Sequence, residues 1–303
     1  MSNIFYMLVG LPSSGKTSYA KKHLSHCKIH SSDDLRIELF GSVDVQDQNH
    51  ILFKELHSRV KKDLSKGFDV VYDATNISYK KRKAFLQEIN YINCTKTCVL
   101  IATPYELCLR QNIKRDRTVM AEVIKRMYQN FTIPQYYEGW DKIEIAFHPD
   151  SEAWYEPIHE LMPRLKTIEQ NNPYHTMTIG NHCIATRNNF IEKNGLNSDW
   201  DMWLASYIHD IGKEFTKEYN EEKGYDTYYQ HHLIGAYMSL FITRFDYCCV
   251  NVYSILKVAD YIQWHMKPFF IKTEKAKNKF INLVGEEEYN YIMDLHEADK
   301  GAK

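Results

Sequence analysis

The run Gly10-Leu11-Pro12-Ser13-Ser14-Gly15-Lys16-Thr17 has the spacing G-x-x-x-x-G-K-T, which grips the phosphates of a nucleoside triphosphate. It follows the apolar run Ile4–Val9 and precedes a helical stretch, the context that the chemistry needs. Glycines let backbone N–H groups turn inward around phosphate oxygens, and the following helix turns its positive N-terminal end to the same anion. On this reading Gly10, Ser13, Ser14, Gly15 and Ser18 cradle ATP, Lys16 reaches its β- and γ-phosphates, and Thr17 holds Mg²⁺.

A second group follows at His30-Ser31-Ser32-Asp33-Asp34-Leu35-Arg36, at the end of another strand-like run. Open α/β sheets bind ligands at that edge. A carboxylate there could take a proton from an attacking hydroxyl, and an arginine one helical turn later could hold a phosphate. Two adjacent aspartates also suit a helix N-cap. The run Asp69–Tyr72 ends in Asp73-Ala74-Thr75-Asn76, again polar residues at the ligand edge. Arg110, Arg115 and Arg117 fall within eight residues, a cluster that could close over triphosphate or simply face solvent.

The third group is in the C-terminal half, which holds nine of the fourteen histidines, counted from His148 onward. The pair His209-Asp210 follows the apolar stretch Trp200–Ile208 and precedes Gly212-Lys213. Further potential ligands recur around it: His175, His182, His231-His232, His265, His296 and Asp299. Imidazoles and carboxylates delivered from several helices can hold one or two divalent ions with a position open to water, a hydrolase design. Adjacent helical residues point about 100° apart, so both members of the pair reach one site only where the helix ends, which Gly212 provides. His175 fits either a supporting position or a loop cap after Pro173, and His159 and His296 fit surface or packing positions.

The elements that must position these groups change rhythm midway. Up to about residue 148, short β-rich runs alternate with amphipathic helical stretches, which implies a parallel sheet with helices on both faces. Beyond Trp140 and Pro149 the pattern is helical. The expectation is a two-domain chain, an α/β unit over residues 1–150 and an all-α unit over residues 157–303, with the boundary between Phe147 and Pro157. A length of 303 residues suits two such units.

Hydrophobic residues at 44% and charged residues at 25% are those of a globular protein. No apolar run approaches the roughly 18 residues of a membrane span, and the N-terminus lacks a signal-peptide pattern, so the expectation is a cytoplasmic enzyme without a membrane partner. The seven cysteines include no C-x-x-C pair and read as reduced, mostly buried fillers. A net charge of −1 gives no bulk attraction for a long phosphate backbone, so a nucleic-acid substrate would be gripped locally, at its end. The twenty-two tyrosines, with pairs at Tyr136-Tyr137 and Tyr228-Tyr229, read chiefly as core or interface residues, with base stacking as the other use.

The segments GLPSSGKT, SSDDLR, DATN, RQNIKRDR and VIKRMYQNFTIPQYYEGWDKI resemble the bacteriophage-type polynucleotide 5'-kinase family over almost the whole first half. The resemblance implies a P-loop kinase using ATP and Mg²⁺. Asp33 would be the general base for a 5'-hydroxyl, Arg36 would grip the phosphate on the 3' side of the acceptor nucleotide, and Arg115 or Arg117 would be the lid arginine, with Arg115 also touching ATP. The second half resembles the HD superfamily of metal-dependent phosphohydrolases over about residues 157–303. That implies the ligand set His182, His209, Asp210, His231, His265 and Asp299, holding one or two ions such as Mn²⁺, Fe²⁺, Zn²⁺ or Ni²⁺. His232 is the alternative to His231 one residue on, Asp210 is also catalytic, and Lys213 is a phosphate contact.

Together the two resemblances imply an enzyme that prepares broken nucleic-acid ends, RNA before DNA, for a downstream ligase. The kinase would phosphorylate a 5'-OH, and the metal site would remove a 2',3'-cyclic phosphate or 3'-phosphate; oligomerisation is open. Two other readings stand beside it. One is a nucleoside or small-molecule kinase fused to a nucleotidase. The other is a nucleotide-sensing protein in which ATP binding gates the metal domain.

Overall fold

Apolar side chains on both faces of Asn3–Val9 (β1) suit it to the middle of a sheet. In the computed structural model, which describes residues 3–115, 117–195 and 199–302, β1 is the central strand of five. The others are β2 (Lys28–Ser31), β3 (Val70–Asp73), β4 (Cys94–Ala102) and β5 (Lys142–Phe147), in the order β2-β3-β1-β4-β5 with every pairing parallel. The helices α1 (Lys16–His23), α2 (Ser32–Phe40), α3 (Asn49–Ser65), α4 (Tyr79–Glu88), α5 (Tyr105–Ile113) and α6 (Ala121–Gln129) follow in this half. Leu8, Ala20, Leu24, Val71, Val99 and Ile101 pack in one buried cluster. Register sets Ser31 beside Asp73 and Asp73 beside Leu8. The loops leaving β1, β2 and β3 therefore emerge side by side at one sheet edge.

The chain divides into two compact units, Met1–Ile124 with Pro134–Ser151, and Lys125–Ile133 with Glu152–Lys303. In the second, α7 (Ile158–Leu165), α8 (Ile179–Asn194), α9 (Trp200–Ile208), α10 (Lys213–Thr216), α11 (His231–Phe241), α12 (Val252–Trp264), α13 (Glu274–Val284) and α14 (Glu286–Gly301) form a helical assembly. Side-chain oxygens start several of these helices: Thr178 accepts from Asn181 N–H, Asp199 from Asp201 and Met202, and Asn251 from Tyr253.

This unit is helical but not all-α. Lys217–Asn220 (β6) and Tyr225–Tyr228 (β7) form an antiparallel hairpin. Its strands are four residues each, too short for their alternation to stand out from the helical text around them. Within it Asp226 is buried, held by Lys217 at 3.2 Å and by Asn171 at 3.1 Å. Among the described residues no helix is long and apolar enough to cross a membrane. Cys27, Cys98, Cys108 and Cys183 are buried, Cys94 and Cys249 partly so, and Cys248 is exposed.

Candidate functional site

The phosphate loop begins where β1 ends. Gly15 sits at φ 93°, a left-handed conformation that favours glycine, and it caps α1. Lys16, the first residue of α1, is buried, and its Nζ donates to Gly10 O at 3.1 Å and Leu11 O at 2.6 Å. Burial pushes its pKa down, against the pull of Asp73. Thr17 Oγ1 donates to Asp73 Oδ2 at 2.7 Å. Burial pushes the Asp73 carboxyl up, opposed by Lys16 and by the Thr17 hydroxyl. Buried Lys16 and Asp73, with exposed Thr17 bonded to the carboxylate, thus form one polar group at the phosphate loop, able to hold triphosphate and its magnesium ion. Ser14 is fully buried and its backbone carbonyl accepts from Thr103 Oγ1. Ser18, in the first turn of α1, is exposed.

Ser31 ends β2, and its Oγ accepts from Asp34 N–H at 3.2 Å, so the cap oxygen belongs to the serine and both aspartates fall in the first turn of α2. Asp33 is thereby free of capping. Arg115 and Arg117 separate. Arg115 Nη1 donates to Ser13 Oγ at 3.2 Å, on the phosphate loop. Arg117 lies 3.5 Å from Asp33, pairs with Asp44 at 3.2 Å and donates to Val43 O at 3.0 Å. Arg36 is buried, with Nη1 donating to Val45 O at 2.6 Å and Nη2 to Asn49 Oδ1 at 2.8 Å. It braces the segment between α2 and α3, and its Nε has no hydrogen-bond partner.

In the second unit the six residues named from the sequence converge. Ligand atoms of His182, His209 and Asp299 lie within 4.8 Å of one another, as do those of Asp210, His231 and His265, and all six residues are buried. Asp210 joins the two groups. Its Oδ2 is 3.4 Å from His182 Nε2 and 3.3 Å from His209 Nε2, while its Oδ1 is 3.1 Å from His231 Nε2 and 3.6 Å from His265 Nε2. Asp299 Oδ1 lies 2.9 Å from His182 Nε2.

The backbone fixes which ring nitrogen faces the cluster. The Nδ1 atoms of His182, His209, His231 and His265 meet the carbonyls of Ala302, Ser206, Tyr228 and Ile262 at 2.8, 3.1, 2.7 and 2.7 Å. A carbonyl accepts only, so each Nδ1 carries the hydrogen and each Nε2 is turned inward. His209 Nε2 is buried without a well-directed hydrogen bond, and His231 Nε2 faces His265 Nε2 at 3.2 Å. Inward-facing imidazole nitrogens around two carboxylates fit one or two divalent cations. Without an ion, burial works to lower the His209 pKa, but Asp210 and Asp299 outweigh it and hold it near 10. Burial would raise the carboxyl of Asp210, yet Lys213 and His209 hold it well below its usual range.

Close backbone packing brings the pieces together. A Cβ on Gly212 would collide with His231 O and meet Gly235 N at 2.7 Å, so only glycine allows α11 to seat His231 against the turn that carries Asp210. The adjacent pair reaches the cluster because α9 stops at Ile208. His231 is the member of its pair in the cluster; burial together with His231 and His265 holds His232 at about 2. Lys213 is buried, with Nζ 2.6 Å from Asp210 Oδ2, donating to Gln170 Oε1 at 2.8 Å and lying 3.3 Å from His175 Nε2. In the sequence Asp73 is only a polar residue at the ligand edge and Gln170 carries no signal; the distance in sequence between Thr17 and Asp73 hides their contact.

The first unit is an α/β parallel-sheet fold of the P-loop kinase class, and the second is a helical region. Residues 5–134 match the family model described as an AAA domain. Over 177 residues the chain is 27% identical to L-seryl-tRNA(Sec) kinase of Methanococcus maripaludis, covering 54% of this chain and 66% of that protein. Over 178 residues it is 24% identical to protein kti12 of Schizosaccharomyces pombe, covering 54% and 63%. The chain thus spans less than two thirds of each relative's own length. Among solved structures, one of the Pnkp1/Rnl/Hen1 RNA repair complex is similar over 42% of this chain and 43% of that chain, at 20% identity and a TM-score of 0.36. A putative kinase from Chloroflexus aurantiacus is similar over 48% and 89%, at 11% identity and a TM-score of 0.40.

Proposed function

We propose that the chain is an ATP-dependent polynucleotide 5'-hydroxyl kinase joined to an HD-type metal-dependent phosphoesterase, acting on the two ends of a broken RNA strand. In the first unit, Asp33 takes the proton of the acceptor hydroxyl as its oxygen attacks the γ-phosphorus, and ADP leaves. Lys16 and Arg115 neutralise charge on the transferring phosphoryl group. Thr17 and Asp73 are the residues that would hold Mg²⁺.

In the second unit, His182, His209, Asp210, His231, His265 and Asp299 would hold one or two divalent ions. Such ions supply a water of lowered pKa and neutralise phosphoryl oxygens. Lys213 anchors Asp210 and offers positive charge beside it. Water adds to the phosphorus and one P–O bond breaks, so a 2',3'-cyclic phosphate becomes a monoester, or a 3'-phosphate is released. The observation that carries this half is the division of Asp210's two oxygens between two histidine pairs.

A second reading concerns the acceptor. The 27% identity to a kinase whose named substrate is L-seryl-tRNA(Sec) supports a small or tRNA-borne hydroxyl equally well, with the metal site then serving as a nucleotidase. Incubation with ATP, Mg²⁺ or Mn²⁺ and 5'-OH oligonucleotides ending in 2',3'-cyclic or 3'-phosphate decides between them. The proposal expects 5' labelling that is lost in Lys16→Ala and 3' phosphate chemistry that is lost in Asp210→Asn. Labelling of free nucleosides or seryl-tRNA with none of the oligonucleotide would favour the second reading.

A further inference from the structure

We infer that the β6–β7 hairpin, with the loop carrying Tyr174, is a base-stacking platform that holds the single strand leading to the phosphoester at the metal cluster; this rests on the phosphoesterase reading above. Tyr174 and Tyr229 are 67% and 62% exposed. They stand in one group. The Tyr174 and Tyr225 rings meet edge to face with centroids 6.0 Å apart and hydroxyls 3.5 Å apart, and Lys223 lies over the Tyr229 ring with Nζ 3.1 Å from its hydroxyl.

The group is continuous with the metal cluster. Asn172 Oδ1 accepts from the N–H of both Tyr174 and His175, which fixes the short loop. His175, next in sequence to Tyr174, packs its ring 4.7 Å from that of His182 and reaches Lys213. From the hairpin side, Tyr228 lies under Lys213 and its carbonyl holds Nδ1 of His231. The loop, and the segment of β7 running on to Tyr229, thus each carry an exposed tyrosine outward and a cluster contact inward.

Its charge limits how much phosphate backbone it can hold. Glu218, Glu221 and Glu222 border the hairpin beside Tyr219 and Tyr229, so the surface does not attract a phosphate backbone in bulk. Stacking on tyrosine faces tolerates any base. Lys223 supplies one local positive charge at the tip. The fitting occupant is the last few unpaired nucleotides of an RNA end, with binding that falls only weakly with salt.

The test compares wild type with Tyr174→Ala/Tyr229→Ala and Tyr174→Phe/Tyr229→Phe in the full chain loaded with Mn²⁺. Substrates are a single-stranded 10-mer with a 2',3'-cyclic phosphate and the small ester bis(p-nitrophenyl) phosphate. The alanine pair should raise KM for the oligonucleotide about tenfold or more, leave turnover of the small ester unchanged, and be rescued by the phenylalanine pair. An unchanged KM, or equal loss on both esters, overturns the platform while leaving the phosphoesterase reading intact. If wild type hydrolyses neither ester, that reading has failed, and photocrosslinking with 4-thiouridine placed next to the 3' end decides the platform separately. Crosslinks in the peptides containing Tyr174 or Tyr229 support it, and crosslinks confined to other peptides overturn it.

Discussion

Thr17 Oγ1 donates a 2.7 Å hydrogen bond to Asp73 Oδ2, joining the end of the phosphate loop to the end of β3 across 56 residues of sequence. The carboxylate is buried, and burial raises its pKa, so keeping it ionised works against folding. A residue that costs stability yet sits beside Lys16 points to use rather than packing. Asp73→Asn should therefore lower kcat for phosphoryl transfer about 10²-fold or more while the melting temperature stays equal or rises. Steady-state kinetics with ATP and Mg²⁺, beside a thermal melt, reads both. A variant with normal transfer would remove Asp73 from the site.

Arg115 and Arg117 are two residues apart, but one reaches Ser13 and the other faces Asp33 and Asp44. Their losses should differ in kind. Arg115→Ala is expected to raise KM for ATP about tenfold, and Arg117→Ala to act on the acceptor, raising its KM and leaving that of ATP near the wild-type value. Equal effects on both substrates from either variant would contradict this division.

The phosphate loop and its flanking elements were legible because their requirements are local: an apolar strand, a fixed glycine spacing and a helix. The six cluster residues follow from the family resemblance of the second half rather than from spacing alone, and the structure brings them together. What sequence alone could not supply is whatever depends on chain return. Asp73 lies far from Thr17, Gln170 reaches Lys213 over 43 residues, and Gly212 is fixed by the approach of α11 rather than by its own φ. By sequence Tyr229 and its neighbour Tyr228 both fit core or interface positions. In a strand, neighbours face opposite ways, and here Tyr228 turns toward Gln170 while Tyr229, just past the strand end, is exposed.

Arg82 and Glu138 form a fully buried pair within the first unit. Arg82 Nε and Nη2 donate to Glu138 at 2.8 and 2.6 Å, Nη1 donates to Asn76 O, and Trp140 Nε1 adds a bond to Glu138 at 3.1 Å. Removing one partner leaves the other charge buried and uncompensated. Glu138→Ala should cost about 3–5 kcal/mol of folding stability, read from urea unfolding. Arg82→Met/Glu138→Leu should recover much of that loss, since neither charge then remains.

Asp201 sits in the first turn of α9, where burial, with Asp199 adding to it, raises its pKa to about 6. The native state thus holds this proton more tightly than the unfolded chain, whose carboxyl titrates near 3.9. Between those two values stability falls as pH rises, and above about 6 the full penalty is present. Asp201→Asn should gain on the order of 1 kcal/mol at pH 7.5, after allowance for solvent screening, and nothing at pH 3.5. Melting curves at the two pH values check the sign, and a gain confined to the acid side would refute it.

The histidine cluster predicts a metal dependence that separates His231 from its neighbour. The fully assembled site should bind one or two Mn²⁺ per chain, and at a hundredfold excess over Kd the ions should stabilise the protein by about 2.7 kcal/mol, a shift that chelation reverses. His231→Ala removes an inward-facing Nε2 and should lose bound metal and its thermal shift. His232→Ala changes a ring outside the cluster and should keep both. Asp210→Asn touches both histidine pairs at once, so it should reduce metal content more than Asp299→Asn, measured by elemental analysis of the purified variants. Equal metal content in Asp210→Asn and wild type would show that the two oxygens of Asp210 face an ordinary buried ion pair, the state that Lys213 and His209 alone would hold.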